Sequence, residues 1–150
     1  MTATTLASSP IAAAVYVSTT GTSDWTDISG MATSVSFGGG ELQTGEAFTI
    51  GGTVPIITAG PNSMVECTIN ALYSHGTAAP DYLGTIETWK KNRTKAYVKV
   101  APEGTATWSY ISAGGYFVSP IAPDLDASSA DPLAVEITFR APEFLRATTG

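Results

Sequence analysis

Apolar and polar residues alternate with a period of two along this chain, and this pattern limits the folds it can adopt. The alternation is clearest in three segments: "MVECTINALY" (64–73), "KAYVKVA" (95–101) and "LAVEITFR" (133–140). In the first of them, Val65 and Cys67 share one phase and Glu66 and Thr68 share the other. Because successive side chains of a strand point to opposite faces, each segment predicts a strand with one buried face.

Other segments predict further strands and a single helix. "AAVYVST" and "ATSVSF" are weaker strand candidates, and "TWSYISAGGYFVSP" predicts a hairpin because Gly114 and Gly115 supply the positive φ of a short connection. In "APDYLGTIETWKK", Leu83 and Ile86 recur at helical spacing, which predicts a helix over about residues 80–91. We therefore expect a mainly β fold in one domain, residues 1–150: a β-sandwich or partly open barrel with one flanking α-helix.

The composition predicts a chain that can fold without disulfide bonds. Hydrophobic residues make up 43% of the 150 residues and charged residues 13%, enough for a sizeable core. The single cysteine, Cys67, cannot form an intrachain disulfide, and its phase with Val65 and Ile69 predicts a buried side chain. No apolar run approaches the length of a membrane span and no basic residue precedes the apolar N-terminus, so we expect a soluble, unexported protein with no membrane partner.

Charge is distributed unevenly. The formal net charge is −6, and residues 1–89 contain no Lys or Arg. Five basic residues crowd into the next ten positions: Lys90, Lys91, Arg93, Lys95 and Lys99. Lys and Arg supply most non-specific affinity for nucleic acid, but thirteen acidic residues oppose that interpretation. We interpret the cluster as an outer or intersubunit patch.

Candidate chemistry is sparse. His75 is the one histidine, which argues against a metal site or a catalytic triad. The glycines at 38–40 precede Glu41 rather than a Lys and Ser/Thr, so they predict a flexible hinge instead of a phosphate loop. "DLDASSAD" lacks the glycine and terminal glutamate of a helix-loop-helix calcium site and is interpreted as an acidic surface loop. We expect no catalysis, no metal and no cofactor.

A long segment of low hydrophobicity, residues 38–63, separates two early strands. Structureless connections beyond about 12 to 15 residues are uncommon in compact domains unless they are functional or disordered. Its apolar side chains are too few to fold alone but enough to anchor an extended arm on a neighbour: Leu42, Phe48, Ile50, Val54 and Ile56. We predict an intersubunit arm that becomes ordered on assembly.

The order of these segments resembles that of a known family. "VYVSTTGTSDWTDISG", "GGGELQTGEAFTIGGTVPIITAGP", "VECTINALY", "APDYLGTIETWKK" and "VEITFRAPEF" follow one another as in the tail tube proteins, or major tail proteins, of long-tailed bacteriophages, over about residues 14–144. The resemblance implies a β-sandwich with one helix whose copies form hexameric rings, stacked around a channel through which genomic DNA is ejected. It also implies a place in the virion tail, assembly in the host cytoplasm, and tape-measure and terminator or tip proteins as partners.

Within that picture, acidic residues suit a channel lining because they repel DNA in passage instead of binding it. The candidate lumen-facing acids are Glu41, Glu46, Glu66 and Glu136. Phe144 and Leu145 follow the last predicted strand, and we expect them to contact a neighbouring subunit rather than their own core. Two alternatives stay open: the inner tube of a related contractile injection system, and a monomeric carbohydrate-binding or adhesin module that uses Trp25 and Trp108.

Overall fold

The computed structural model of the chain describes residues 13–73, 82–103 and 108–147. These residues form eleven strands and one helix: β1 (Ala14–Ser18), β2 (Thr26–Asp27), β3 (Ala32–Gly39), β4 (Leu42–Ala47), β5 (Ile56–Asn62), β6 (Val65–Leu72), α1 (Tyr82–Lys91), β7 (Tyr97–Ala101), β8 (Ser109–Ser112), β9 (Tyr116–Phe117), β10 (Ala134–Ala141) and β11 (Phe144–Ala147). The mainly β prediction with one flanking helix is confirmed.

The strands form three antiparallel sheets. One sheet has five strands in the order β11-β8-β7-β1-β2, the second has four in the order β3-β6-β10-β9, and the third consists of β4 and β5 alone. The register of β6 against β10 places Cys67 opposite Phe139 and Ile69 opposite Ile137. All three sheets are open, so the fold is a sandwich rather than a closed barrel.

The core lies between the five-stranded and four-stranded sheets. Ile69 and Phe139 project from the four-stranded sheet, and Val17 and Val98 project from the five-stranded sheet into the same buried cluster. The period-two alternation of β6 and β10 is therefore confirmed, because each buries one face and leaves the other more exposed. Cys67 is fully buried within this cluster, as predicted.

Helix α1 covers one side of the sandwich. Leu83 and Ile86 are buried, and the Trp89 ring lies 6.1 Å from the Phe117 ring, centroid to centroid. Lys90 and Lys91 in the last turn complement the negative end of the helix dipole. The described residues include no helix with the length and apolarity needed to cross a membrane. Residues 80 and 81 of the predicted helix lie outside the described ranges.

The hairpin predicted around Gly114 and Gly115 is wrong. Strand β8 belongs to the five-stranded sheet and β9 to the four-stranded sheet, so the two glycines connect one sheet to the other. Gly115 exchanges two backbone hydrogen bonds of 2.9 Å with Ala96, and a Cβ at this position would overlap the carbonyl oxygen of Arg140. Glycine is required here for close backbone approach and not for a positive φ.

Candidate assembly surface

The arm predicted from the sequence is the outer half of a long β-ribbon. Strands β3 and β6 form its inner half, β4 and β5 its outer half, and hydrogen bonds continue across the junction. The Gly40 N–H donates to the Met64 carbonyl at 3.1 Å, and the Ser63 N–H donates to the Glu41 carbonyl at 2.8 Å. The Ser63 hydroxyl also accepts the Glu41 N–H at 3.0 Å. We call residues 42–62 the arm hairpin.

Glycines 39 and 40 fix the bend between the two halves. Their φ angles are 70° and 74°, in the left-handed region that side chains disfavour. A Cβ at Gly39 would also overlap the carbonyl oxygen of Met64. The flexible hinge predicted for residues 38–40 is therefore wrong, because Gly38 and Gly39 end a paired strand and Gly40 is hydrogen-bonded.

The arm hairpin projects from the sandwich. Residues 41–62 are all exposed, and β4 and β5 pair with each other and with no other described strand. Instead of an unpaired extended segment, the arm is a self-paired ribbon, because its Thr and Ile residues favour strands and a Gly52 N–H to Thr49 carbonyl bond of 3.1 Å closes a turn. All five predicted arm residues lie exposed on it: Leu42, Phe48, Ile50, Val54 and Ile56.

Beside the ribbon, an uncharged groove opens between the two large sheets. It has a volume of about 400 Å³ and runs beneath β3, where β1 and β7 form its floor. Apolar side chains from all three strands line it: Val15, Ala32, Val35, Phe37 and Val100. Sequence reasoning missed this groove because its walls come from strands far apart in the chain.

Strand β3 also leaves one edge of the four-stranded sheet open. It pairs with β6 on one side, and within the described ranges no strand pairs with its other side. At the opposite edge of that sheet, α1 packs against β9 through Trp89 and Phe117. Because an open edge can accept a strand from another chain, the surface around β3 is suited to assembly.

The predicted acidic residues fall into two groups. Glu66 and Glu136 lie on the outer face of the four-stranded sheet, where Glu66 Oε2 accepts a 3.0 Å ion-pair hydrogen bond from Arg140 Nε. Glu41 lies at the bend of the ribbon, and Glu46 lies on β4. Tyr116 and Leu72 share this outer face, and most of its other side chains are short and polar: Ser34, Ser36, Thr68, Asn70 and Thr138.

The predicted basic cluster is divided by the fold. Lys90, Lys91, Arg93 and Lys95 are exposed around the end of α1, whereas Lys99 is only 5% exposed. Its Nζ lies 4.5 Å from the centroid of the Tyr16 ring and 4.8 Å from that of Trp25, and burial lowers the pKa of its amine. Assigning Lys99 to a surface patch is therefore wrong, because Tyr16 and Trp25 lie against the face of β7 that was expected to be open.

The prediction for the C-terminal residues is wrong for Phe144. Both Phe144 and Leu145 lie in β11, which pairs with β8, and the partly buried Phe144 ring packs against the chain's own core. Its centroid lies 5.0 Å from that of Phe37 and 6.3 Å from that of Phe139. Leu145 points to the other face and is exposed, so its contact with a neighbour stays a prediction.

The residues considered for chemistry do not converge. Burial raises the pKa of the Cys67 thiol to about 12, and His75 lies outside the described residues. Across residues 13–73, 82–103 and 108–147, no three His, Cys, Asp or Glu side chains group closely enough to hold a metal. In the acidic loop, Ser128 donates to the Asp126 carboxylate from its N–H at 3.0 Å and from its hydroxyl at 2.7 Å, and these bonds lower the pKa of Asp126.

The two tryptophans of the carbohydrate-binding alternative each contact a cation. The Arg146 guanidinium lies 3.8 Å from the centroid of the Trp108 ring, and Trp25 packs against Lys99. A cation over the ring face occupies the surface that a sugar would stack on. The geometry thus favours the assembly surface over a sugar platform.

No protein-family model and no curated protein matches the chain. Solved structures do share its fold. A chain in the cryo-EM structure of an extracellular contractile injection system, the PVC sheath/tube terminator in the extended state, matches with a TM-score of 0.73 at 19% identity, covering 97% of this chain and 100% of that one. A chain of the PVC sheath–tube complex in the extended state matches with a TM-score of 0.65 at 19% identity, covering 93% and 91%.

A further match comes from a second particle. A chain in the 6-fold symmetrised baseplate structure of the anti-feeding prophage aligns with a TM-score of 0.68 at 12% identity, covering 99% of this chain and 98% of that chain. The coverage shows that nearly the whole fold of the given chain is shared. The chain therefore has the fold of subunits found in these phage-tail-like tube, sheath and baseplate assemblies.

Proposed function

We propose that the chain is a non-catalytic structural subunit of the tube of a phage-tail-like particle. The observation that carries this proposal is the fold that it shares, over 93% to 99% of its length, with chains of tube-bearing and baseplate assemblies. The alternative of a contractile injection system is favoured over a long-tailed phage because the PVC neighbours come from such a system. A sixfold ring is the expected arrangement, as in the 6-fold symmetrised baseplate.

The open edge of β3 and the arm hairpin supply the means of assembly. Both carry strand edges without a partner in the described chain, and such edges are stabilised when another copy pairs with them. Copies joined through unlike surfaces form rings where the rotation closes and filaments where it does not. Stacking of rings then extends the tube, and its length is set by tape-measure and terminator proteins as partners.

The outer face of the four-stranded sheet is the candidate channel lining. Its side chains are mostly short and polar, and the one basic residue that β10 places on it, Arg140, is paired with Glu66. Such a face repels a polyanion weakly and offers little free positive charge to hold it. This observation favours, as a second candidate function, passage of DNA through the tube of a long-tailed phage, with Glu66 and Glu136 facing the channel.

The exposed basic residues around the end of α1 then lie away from the channel. Lys90, Lys91, Arg93 and Lys95 surround the end of α1, on the side of the sandwich that the helix covers. We assign them to contacts with neighbouring subunits or an outer protein layer, since opposite charge across an interface guides docking. The particle tail is the expected location, with assembly in the host cytoplasm.

Electron microscopy of the purified chain tests the proposal. The full chain is expected to form rings or tubes at high concentration. A variant in which Asn-Gly replaces residues 42–62 should fold as a monomer and fail to assemble, because Glu41 and Ser63 are already joined by backbone hydrogen bonding. Leu125→Asp, at an exposed site outside the arm hairpin, is the control and should assemble normally. A full chain that stays monomeric at every concentration contradicts the tube proposal.

A further inference from the structure

We propose that the apex of the arm hairpin docks into the uncharged groove beneath β3 of a second copy, with Ile50 as its anchor. The inference rests on the proposed tube function and names the surface that receives the arm. Three observations support it. The lining of the groove is uncharged, Ile50 is exposed at the apex of the arm hairpin, and the apex lies apart from the groove of its own subunit.

The groove differs chemically from three other depressions of similar volume. These three depressions, between 410 and 440 Å³, each include acidic side chains in their lining, such as Glu66, Glu136 or Asp126. None of the residues lining the groove beneath β3 is charged, and Phe37 leaves about half of its surface exposed there. An apolar side chain entering this groove displaces water without leaving a charge unpaired.

The arm hairpin presents a matching surface. Residues 47–65 contain no charged side chain. The hydrogen bond from the Gly52 N–H to the Thr49 carbonyl closes the turn that holds Ile50 at the apex, where it is fully exposed. Phe48 and Val54 flank it and are also exposed. A preformed turn reduces the ordering cost of docking, so the apex is suited to act as an anchor.

The occupant must come from another copy. Strand β4 carries the apex roughly 20 Å beyond the bend, at about 3.3 Å per residue. The bend itself is fixed by Gly39 and Gly40, whose conformations are restricted by the pairing across the junction. Ile50 is fully exposed among the described residues of its own subunit, and the groove lies beneath the same strand, β3, from which the ribbon leaves. One subunit therefore offers a projecting apex at one place and a receiving groove at another, as a head-to-tail contact requires.

Disulfide trapping between two differently tagged chains tests the docking. One chain carries Ile50→Cys and the other carries Phe37→Cys, while the buried Cys67 stays unreactive. The pair is expected to form an interchain disulfide between positions 50 and 37, identified by mass spectrometry. Ile50→Cys mixed with Leu125→Cys is the matched control and should give none. Ile50→Asp, which leaves the core untouched, should raise the concentration needed for assembly about 10-fold or more, whereas Leu125→Asp should not.

The outcomes separate the two proposals. If tubes form without a disulfide between positions 50 and 37, and Ile50→Asp assembles normally, the docking proposal is wrong and the tube function is still supported. The bond without rings or tubes supports the docking and contradicts the tube function. Monomers with no bond contradict both. A bond within one chain of the Ile50→Cys/Phe37→Cys variant, formed at high dilution, overturns the assignment to a second copy.

Discussion

The hydroxyl of Ser119 occupies the free edge of β10 beside Glu136. It accepts a hydrogen bond from the Thr138 N–H at 2.9 Å and donates one to the Glu136 carbonyl at 3.3 Å. A side chain thus takes the place that a neighbouring strand would fill, just beyond the short strand β9. Because β3 has no such cover in the described chain, the four-stranded sheet offers one edge for pairing and shields the other.

Replacing Ser119 should destabilise the subunit modestly. Ser119→Ala removes both hydrogen bonds at the edge of β10, and we expect the free energy of unfolding to fall by about 1 kcal/mol. Urea denaturation measures the change. Ser36→Ala, on the outer face of β3, is the control and should change it by less than about 0.5 kcal/mol. Equal stability of the two variants would show that water replaces the hydroxyl at no cost.

Gly39 is expected to be the most sensitive position of the ribbon. Gly39→Ala forces a side chain into the left-handed region and against the Met64 carbonyl, so we expect a loss of about 2 kcal/mol or more in the free energy of unfolding. Thermal and urea unfolding measure it.

The neighbouring Gly38 provides the matched control for that substitution. Nothing lies within 4 Å of a Cβ added at Gly38, and its φ is not in the left-handed region. Gly38→Ala should therefore be neutral or slightly stabilising, by up to about 1 kcal/mol, because alanine restricts the unfolded chain. If both variants lose the same stability, the bend is not what makes Gly39 necessary.

The strands that alternate strictly could be predicted from the sequence. Strands β6 and β10 each bury one face against a single sheet. Their alternation of apolar and polar residues therefore predicts which side chains are buried. The helix was also predictable, because Leu83 and Ile86 repeat at helical spacing and both face the core. The exposed apolar residues of the arm could be identified because they stand in a long segment without a strand pattern of its own.

The remaining features depend on strands distant in the sequence. Lys99 alternates like a surface residue, but the residues after β1 bring Trp25 against it. Gly114 and Gly115 have the local signal of a hairpin, yet β8 pairs with β7 and β11 instead of β9. The groove beneath β3 is lined by residues near positions 15, 35 and 100, and a local sequence pattern cannot predict that residues so far apart in the chain lie together. These errors arise from tertiary context, which overrides local preference.

The thiol of Cys67 should report global unfolding. Burial raises its pKa from 9.0 to about 12, which lowers the thiolate fraction near pH 8 roughly 1,000-fold, and the core also blocks reagents. We expect iodoacetamide to leave the native chain unmodified over hours and to label it rapidly in urea, with mass spectrometry as the measurement. Rapid labelling without denaturant would mean that the sandwich opens locally around β6.

Lys99 should make stability depend on pH in the alkaline range. Burial lowers the pKa of its amine in the folded chain, so between the folded and unfolded pKa values the unfolded chain binds more protons. The contribution of Lys99 to the free energy of unfolding must then rise with pH between these two pKa values, the upper of which is the ordinary lysine pKa of 10.5. At pH values below the folded pKa, the amine is charged in both the folded and the unfolded chain, so folding carries the full cost of burying the charge.

Lys99→Met isolates this effect, because it keeps the length of the side chain and removes the titrating amine. The free energy of unfolding of the wild-type chain, minus that of Lys99→Met, should increase as the pH rises toward the ordinary lysine pKa of 10.5. Comparing the two proteins at each pH cancels the titration of the other groups. Lys95→Met, at an exposed lysine four residues away, should give a difference that stays flat with pH. A decrease for Lys99→Met would mean that the Tyr16 and Trp25 rings stabilise the charged amine by more than burial destabilises it.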